Sequence, residues 1–143
     1  MTQMLDVAEH HRVLEIGTGT GYQTAILARL AQRVYSVERL EEFLPATRER
    51  LDRLGISNVE FLVGDGSGGW PVHAPYDRIM VTAAGPTVPR ALLDQLCEGG
   101  KMIIPVGGEA AQRLLLIERR AARFVERPLI PVRFVKLLGA QGY

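Results

Sequence analysis

The chain has 143 residues, 47% hydrophobic and 23% charged, with 17 basic against 16 acidic side chains and a formal charge of +1. Such proportions fit one globular domain spanning residues 1–143, and the near-balance of charge argues against an electrostatically driven nucleic-acid binder. No apolar run approaches the ~18 residues a membrane span needs. The N-terminus lacks the basic-then-apolar pattern of a secretory signal, and the single cysteine, Cys97, has no disulfide partner and makes no multi-cysteine metal site. The expectation is a cytoplasmic protein without membrane, nucleic acid or metal.

Thr2 onward reads as a last stretch of helix. Arg12-Val-Leu-Glu-Ile16 is a short apolar run stopped by Gly17, a first strand. Tyr22 to Gln32 carries Ala25, Ile26, Ala28, Leu30 and Ala31 among good helix formers. Arg33 to Glu38 alternates and is β-branched, a second strand. Leu40 to Leu54 aligns Leu40, Leu44, Thr47, Leu51 and Leu54 on one helical face, and Pro45 requires the helix to begin between Glu41 and Leu44. Asn58 to Val63 is a third strand, Gly64 to Pro75 a loop or a short helical turn, and Tyr76 to Thr82 a fourth strand. Val88 to Leu96 reads as a short helix stopped by Gly99-Gly100, and Lys101 to Val106 as a fifth strand. Apolar runs at Arg113 to Glu118 and Val132 to Leu138 read as antiparallel additions, separated by a turn with two prolines. Strands alternating with helices predict an α/β, doubly wound, mostly parallel sheet of Rossmann-like type, with antiparallel C-terminal strands. Ligands then bind along the C-terminal edge of the strands, near the reversal of strand order.

The loops at that edge carry the chemistry. After the first strand stands Glu15-Ile-Gly17-Thr18-Gly19-Thr20-Gly21, whose alternating glycines let a ligand approach the backbone. The third glycine of the dinucleotide fingerprint is missing, because Tyr22 stands there. Glu15, near the end of a buried strand, needs a cationic or hydrogen-bonding partner, which a ligand ammonium or nearby backbone N–H groups would supply. Glu38, 21 residues after Gly17, can accept from both ribose hydroxyls or pair with Arg39. In Gly64-Asp65-Gly66, Asp65 can accept from an exocyclic amine or close an Asx-turn. Together the loops describe a pocket for a nucleoside bearing an amino-acid group and no pyrophosphate, which is S-adenosylmethionine.

The run from Arg12 to Gln23 resembles the first motif of protein-L-isoaspartate O-methyltransferases. So do Val37-Glu38, Gly64-Asp65-Gly66 with Gly69-Trp70-Pro71, Ala74 to Asp77, Val81 to Pro86 and Ile104 to Gly107. Val132 to Leu137 is similar to the last motif, except that Lys136 replaces the usual proline. The resemblance implies methyl transfer from S-adenosylmethionine to the α-carboxylate of isoaspartyl residues in damaged proteins or peptides. It assigns Glu15 and Gly17 to Gly21 to the methionine part, Glu38 to the ribose and Gly64, Asp65 and Gly66 to the adenine. Thr82, Ala83 and Ala84 would border the methyl-transfer site. An ionised carboxylate needs placement rather than a base, so no catalytic side chain is nominated, and His10, His11 and His73 are assigned to surface or packing.

Relative to that family the chain is expected to lack an N-terminal segment whose hydroxyl-bearing motif grips the substrate carboxylate. Two expectations follow: cofactor binding survives while methylation is weakened or lost, and the uncovered apolar surface favours a homodimer. The alternatives are a non-catalytic module that binds S-adenosylmethionine, or a related methyltransferase acting on another small substrate. A nicotinamide dehydrogenase is disfavoured by Tyr22 and the buried Glu15.

Overall fold

The computed structural model describes residues 1–143. Its centre is one seven-stranded sheet in the order β3-β2-β1-β4-β5-β6-β7. The strands are β1 (Arg12–Ile16), β2 (Arg33–Glu38), β3 (Val59–Val63), β4 (Tyr76–Val81), β5 (Leu96–Gly107), β6 (Gln112–Arg120) and β7 (Arg123–Val132). The first five are parallel; β6 and β7 are added antiparallel. The helices are α1 (Thr2–Leu5), α2 (Tyr22–Leu30), α3 (Leu44–Arg53) and α4 (Arg90–Asp94). The doubly wound α/β architecture and its antiparallel C-terminal end agree with the sequence reading. No helix is long and apolar enough to cross a membrane.

Alternation along the strands divides the core in two. Leu14, Ile16, Val37, Ile79, Met102 and Ile104 face one side, where Leu92 of α4 and Trp70 cover them. Val13, Val34, Met80 and Ile103 face the other, against Leu5 of α1, Leu27 and Ala28 of α2 and Leu51 of α3. Each fully buried Leu or Ile contributes roughly 1.5–3 kcal/mol.

Three expectations are corrected. The helix expected over 88–96 is only five residues long, because Pro89 forms its N-cap and Leu96 is claimed by β5, paired with Tyr76. Gly99 and Gly100 lie inside β5, where its register against β4 shifts, rather than ending a helix. In the tail the last strand is Arg123–Val132, the segment read as a turn. Its Pro128 and Pro131 are tolerated because β7 is an edge strand that need not donate on its outer side. The run after Val132 makes only a single parallel bridge, Lys136 to Ala84.

Candidate functional site

Strand order places the site. The chain runs outward from β1 to β3 and returns to β4 on the other flank of β1, so the loops after β1 and β4 diverge and leave a crevice between them. They are tied at their roots: the Thr82 amide donates to the Ile16 carbonyl at 2.9 Å, and the Thr82 hydroxyl lies 2.9 Å from both the Ile16 and Gly17 carbonyls. A Cβ on Gly17, whose φ is +95°, would strike that hydroxyl.

Above this root opens a cavity of about 520 Å³. Ile16, Gly17 and Gly19 line it from the β1 loop, Val37 and Glu38 from the end of β2, and Leu40 and Phe43 from the turn into α3. Gly66 lines it after β3, Thr82 and Ala83 after β4, and Val135 to Leu138 from the tail. Gly66 packs so closely that a Cβ would collide with the Ile16 side chain. Glu38 is fixed from both sides: Oε2 accepts from the Gly19 amide at 2.8 Å and Oε1 from the Leu40 amide at 2.9 Å. A carboxylate has about four acceptor positions, so lone pairs remain for hydroxyls within the cavity.

The other anticipated residues lie elsewhere. Glu15 is wholly buried beneath the glycine loop. It is in register with Ser36 on β2, so its Oε2 accepts from the Ser36 hydroxyl at 2.6 Å and from Thr24 on α2 at 2.5 Å, while Oε1 has no partner. Burial pushes its pKa up to about 7 against the pull of those hydroxyls, with Glu38 adding to the rise. Thr18 is buried in the same network, 2.6 Å from the Ser36 hydroxyl. Thr20 and Gly21 line a different groove, between α2 and α3, with Ala25, Ile26 and Ile56.

Gly64 and Asp65 do not line the cavity either. Asp65 Oδ1 accepts from the Ser67 amide at 2.9 Å and hydroxyl at 2.6 Å, and Oδ2 from the Ala140 amide at 2.8 Å. Burial opposes its ionisation, but these bonds hold its carboxyl below the usual range. This is the Asx-turn alternative, sealed by the tail. Ala84 is buried and bonded to Val135 and Leu137. The histidines stay outside the site: His11 Nδ1 accepts from the Ala8 amide at 2.8 Å, and His73 stacks on Tyr35. Cys97 is half-buried, its Sγ 3.6 Å from Asp77.

Sequence reasoning missed Leu40 and Phe43, along with Ile16, Val37, Arg39 and the four tail residues. For the first two a signal existed: large apolar side chains right after a strand-ending acid, 48% and 37% exposed. For the tail, the apolar run was visible but its destination was not.

A family model described as Protein-L-isoaspartate(D-aspartate) O-methyltransferase (PCMT) matches residues 1–142. Protein-L-isoaspartate O-methyltransferase 2 of Pelobacter propionicus is 50% identical over 145 residues, covering 100% of this chain and 64% of that protein. Protein-L-isoaspartate O-methyltransferase of Parvibaculum lavamentivorans is 52% identical, covering 96% of this chain and 64% of its own length. A solved protein-L-isoaspartate O-methyltransferase superposes with a TM-score of 0.89 at 34% identity, over 99% of this chain and 46% of the other. A second, from Plasmodium falciparum in complex with S-adenosyl-L-homocysteine, gives 0.80 at 25% identity, over 95% and 68%. The chain thus spans about 64% of the length of these curated relatives.

Proposed function

The chain belongs to the protein-L-isoaspartate O-methyltransferase family, and from that premise we propose that it binds S-adenosylmethionine and transfers its methyl group to the α-carboxylate of isoaspartyl residues in damaged proteins. The observation that carries the reading is the cavity in which Gly17, Gly19, Glu38, Gly66, Thr82 and Ala83 meet at the reversal of strand order. Its lining fits the group: glycines give close approach to the backbone, Glu38 keeps acceptor positions for a ribose, and Leu40 and Phe43 offer apolar faces to a base. When bound, S-adenosylmethionine supplies a methyl carried on a positively charged sulfur.

The remaining work falls on the chain. An α-carboxylate has an ordinary pKa of about 3.3–3.7 and is already ionised at neutral pH, so no side chain must take a proton. Held by Glu38 and the glycines of the β1 loop, the donor would supply an electrophilic methyl for displacement by the carboxylate oxygen, its sulfur leaving as a neutral thioether. Such a displacement is accelerated by holding oxygen, carbon and sulfur in line. Thr82 and Ala83, braced by the bonds to Ile16 and Gly17, form the rigid wall on which that alignment is set.

Calorimetric titration with S-adenosylhomocysteine tests the first half. Saturable binding is expected, weakened about tenfold or more in Glu38→Ala, which loses a charged hydrogen-bonding partner worth about 1.5–3 kcal/mol. Methyl transfer to an isoaspartyl hexapeptide, with its aspartyl isomer as control, tests the second. No binding removes the reading; binding without transfer reduces it to a cofactor-binding module.

A further inference from the structure

The loop between β3 and β4 reaches the cavity through one residue, Gly66. Its own sequence does little to hold it in place. Gly64 to Gly69 contains four glycines, the residues that lose most freedom on ordering. At the cavity end the loop has a stop, because Gly66 lies against Ile16. At the far end it is held by a side chain from another element. Gln95, the C-cap of α4, is only 7% exposed. Its Oε1 accepts from the Trp70 amide at 2.8 Å, and its Nε2 donates to the Gly68 carbonyl at 2.8 Å. Gly69, between those two residues, has φ +68°, and a Cβ there would strike the Gln95 amide. Gln95 is itself anchored, since its main-chain carbonyl accepts from the Tyr76 amide at 2.8 Å, at the start of β4.

We propose that Gln95 is a positioning residue for the methyl donor: by clamping Gly68 and Trp70 it holds Gly66 where the donor's nucleoside end rests. The inference rests on the S-adenosylmethionine reading above and adds to it a residue outside the cavity lining. The clamp reaches Gly66 through a single 3-10 turn over Gly66–Gly68, in which the Gly69 amide donates to the Gly66 carbonyl at 3.0 Å. Its chemistry is specific. One acceptor and one donor must meet two backbone groups of the same loop, which a primary amide can do, whereas a carboxylate only accepts and an aliphatic side chain does neither. The flanks of the loop have other ties: the Tyr76 hydroxyl donates to the Trp70 carbonyl at 2.5 Å, and Asp65 is bonded to the Ala140 amide. Loss of the clamp therefore loosens the turn without freeing the whole loop. The ligand must then order Gly66 on binding, a cost that a preorganised site avoids.

Two measurements test this. In calorimetric titrations with S-adenosylhomocysteine, Gln95→Met keeps the length and volume of the side chain but neither hydrogen bond. It is expected to weaken binding about three- to tenfold, the range of a lost neutral hydrogen bond, with the stoichiometry of sites unchanged. A merely structural role would lower the fraction of competent sites and leave Kd alone. The second measurement needs only the wild-type chain and so survives a variant that fails to fold. The Trp70 amide, bonded to Gln95 Oε1, is expected to exchange its hydrogen more slowly with saturating S-adenosylhomocysteine than without, because ligand and clamp favour the same loop conformation. Equal Kd in Gln95→Met and wild type, or equal Trp70 exchange in the free and bound wild-type chain, overturns the role of Gln95 and leaves the cofactor reading standing. Failure of the wild-type chain to bind S-adenosylhomocysteine overturns both.

Discussion

Glu15 shows how one side chain can tie the site to stability. Its carboxyl has lost all contact with solvent and receives only two hydroxyl bonds, both on Oε2. The unfolded chain releases its proton near the ordinary value of 4.5, the folded chain near about 7. Between those values the folded form holds a proton that the unfolded form has lost, so this contribution to stability is complete below about 4.5 and is lost as pH rises through about 7. At 1.36 kcal/mol per unit, ~3 kcal/mol is the upper bound. Glu15→Gln keeps an acceptor oxygen for Ser36 and Thr24 but cannot ionise. Denaturant midpoints for wild type should fall from about pH 5 to about pH 8, and the variant should be flatter over that range. An equal slope in both would assign the pH dependence to another group. The sequence showed that Glu15 needed a partner. It did not show that the partner would be Ser36, because that follows from the register of β1 against β2.

Among the elements, β1 to β4 could be read because each is a short apolar run ended by a polar or glycine loop, and each lies where the pattern put it to within a residue. β7 could not. Pro128 and Pro131 signal a turn when read locally, and only the knowledge that this strand is the sheet edge makes them acceptable. The four-residue α1 is the opposite case, too short to hold itself together. It is held by Arg78 on β4, whose Nε donates to the Leu5 carbonyl at 2.7 Å and the Asp6 carbonyl at 3.1 Å. The Arg78 side chain is buried, and burial lowers its pKa against the pull of Asp6 and Asp77. Arg78→Met preserves much of the packing and removes these charge-assisted bonds. It should destabilise the chain by about 2 kcal/mol, and the Leu5 and Asp6 amides, which bond within α1, should exchange faster than those of β4. Unchanged exchange at those two amides would mean that Leu5 packing alone docks the helix.

At the scale of the whole molecule, the cavity is a junction of segments far apart in sequence. Thr82 was placed there by the family resemblance, and Gly17, Gly19, Glu38 and Gly66 were legible as glycines or an acid at strand ends. The wall formed by Val135 to Leu138 was not, because it arrives through one bridge at Ala84 that no periodicity encodes. The same tail continues to Asp65 and to Gly107, where the Tyr143 hydroxyl donates to the carbonyl at 2.6 Å. A ligand filling this cavity touches the β1 loop, the β2–α3 turn, the β4 loop and the tail together, and any opening of one of them must release it. Binding only to the folded form adds about 2.7 kcal/mol at a hundredfold excess over Kd. For a chain of this length that is a rise in Tm of about 9 °C, taking ~2.1 cal/mol/K of unfolding entropy per residue. Thermal melts with S-adenosylhomocysteine should show that rise as one cooperative transition, while NAD, for whose pyrophosphate the loop has Tyr22 in place of the third fingerprint glycine, should leave Tm unchanged. A shift with NAD and none with S-adenosylhomocysteine would assign the junction to a different nucleotide.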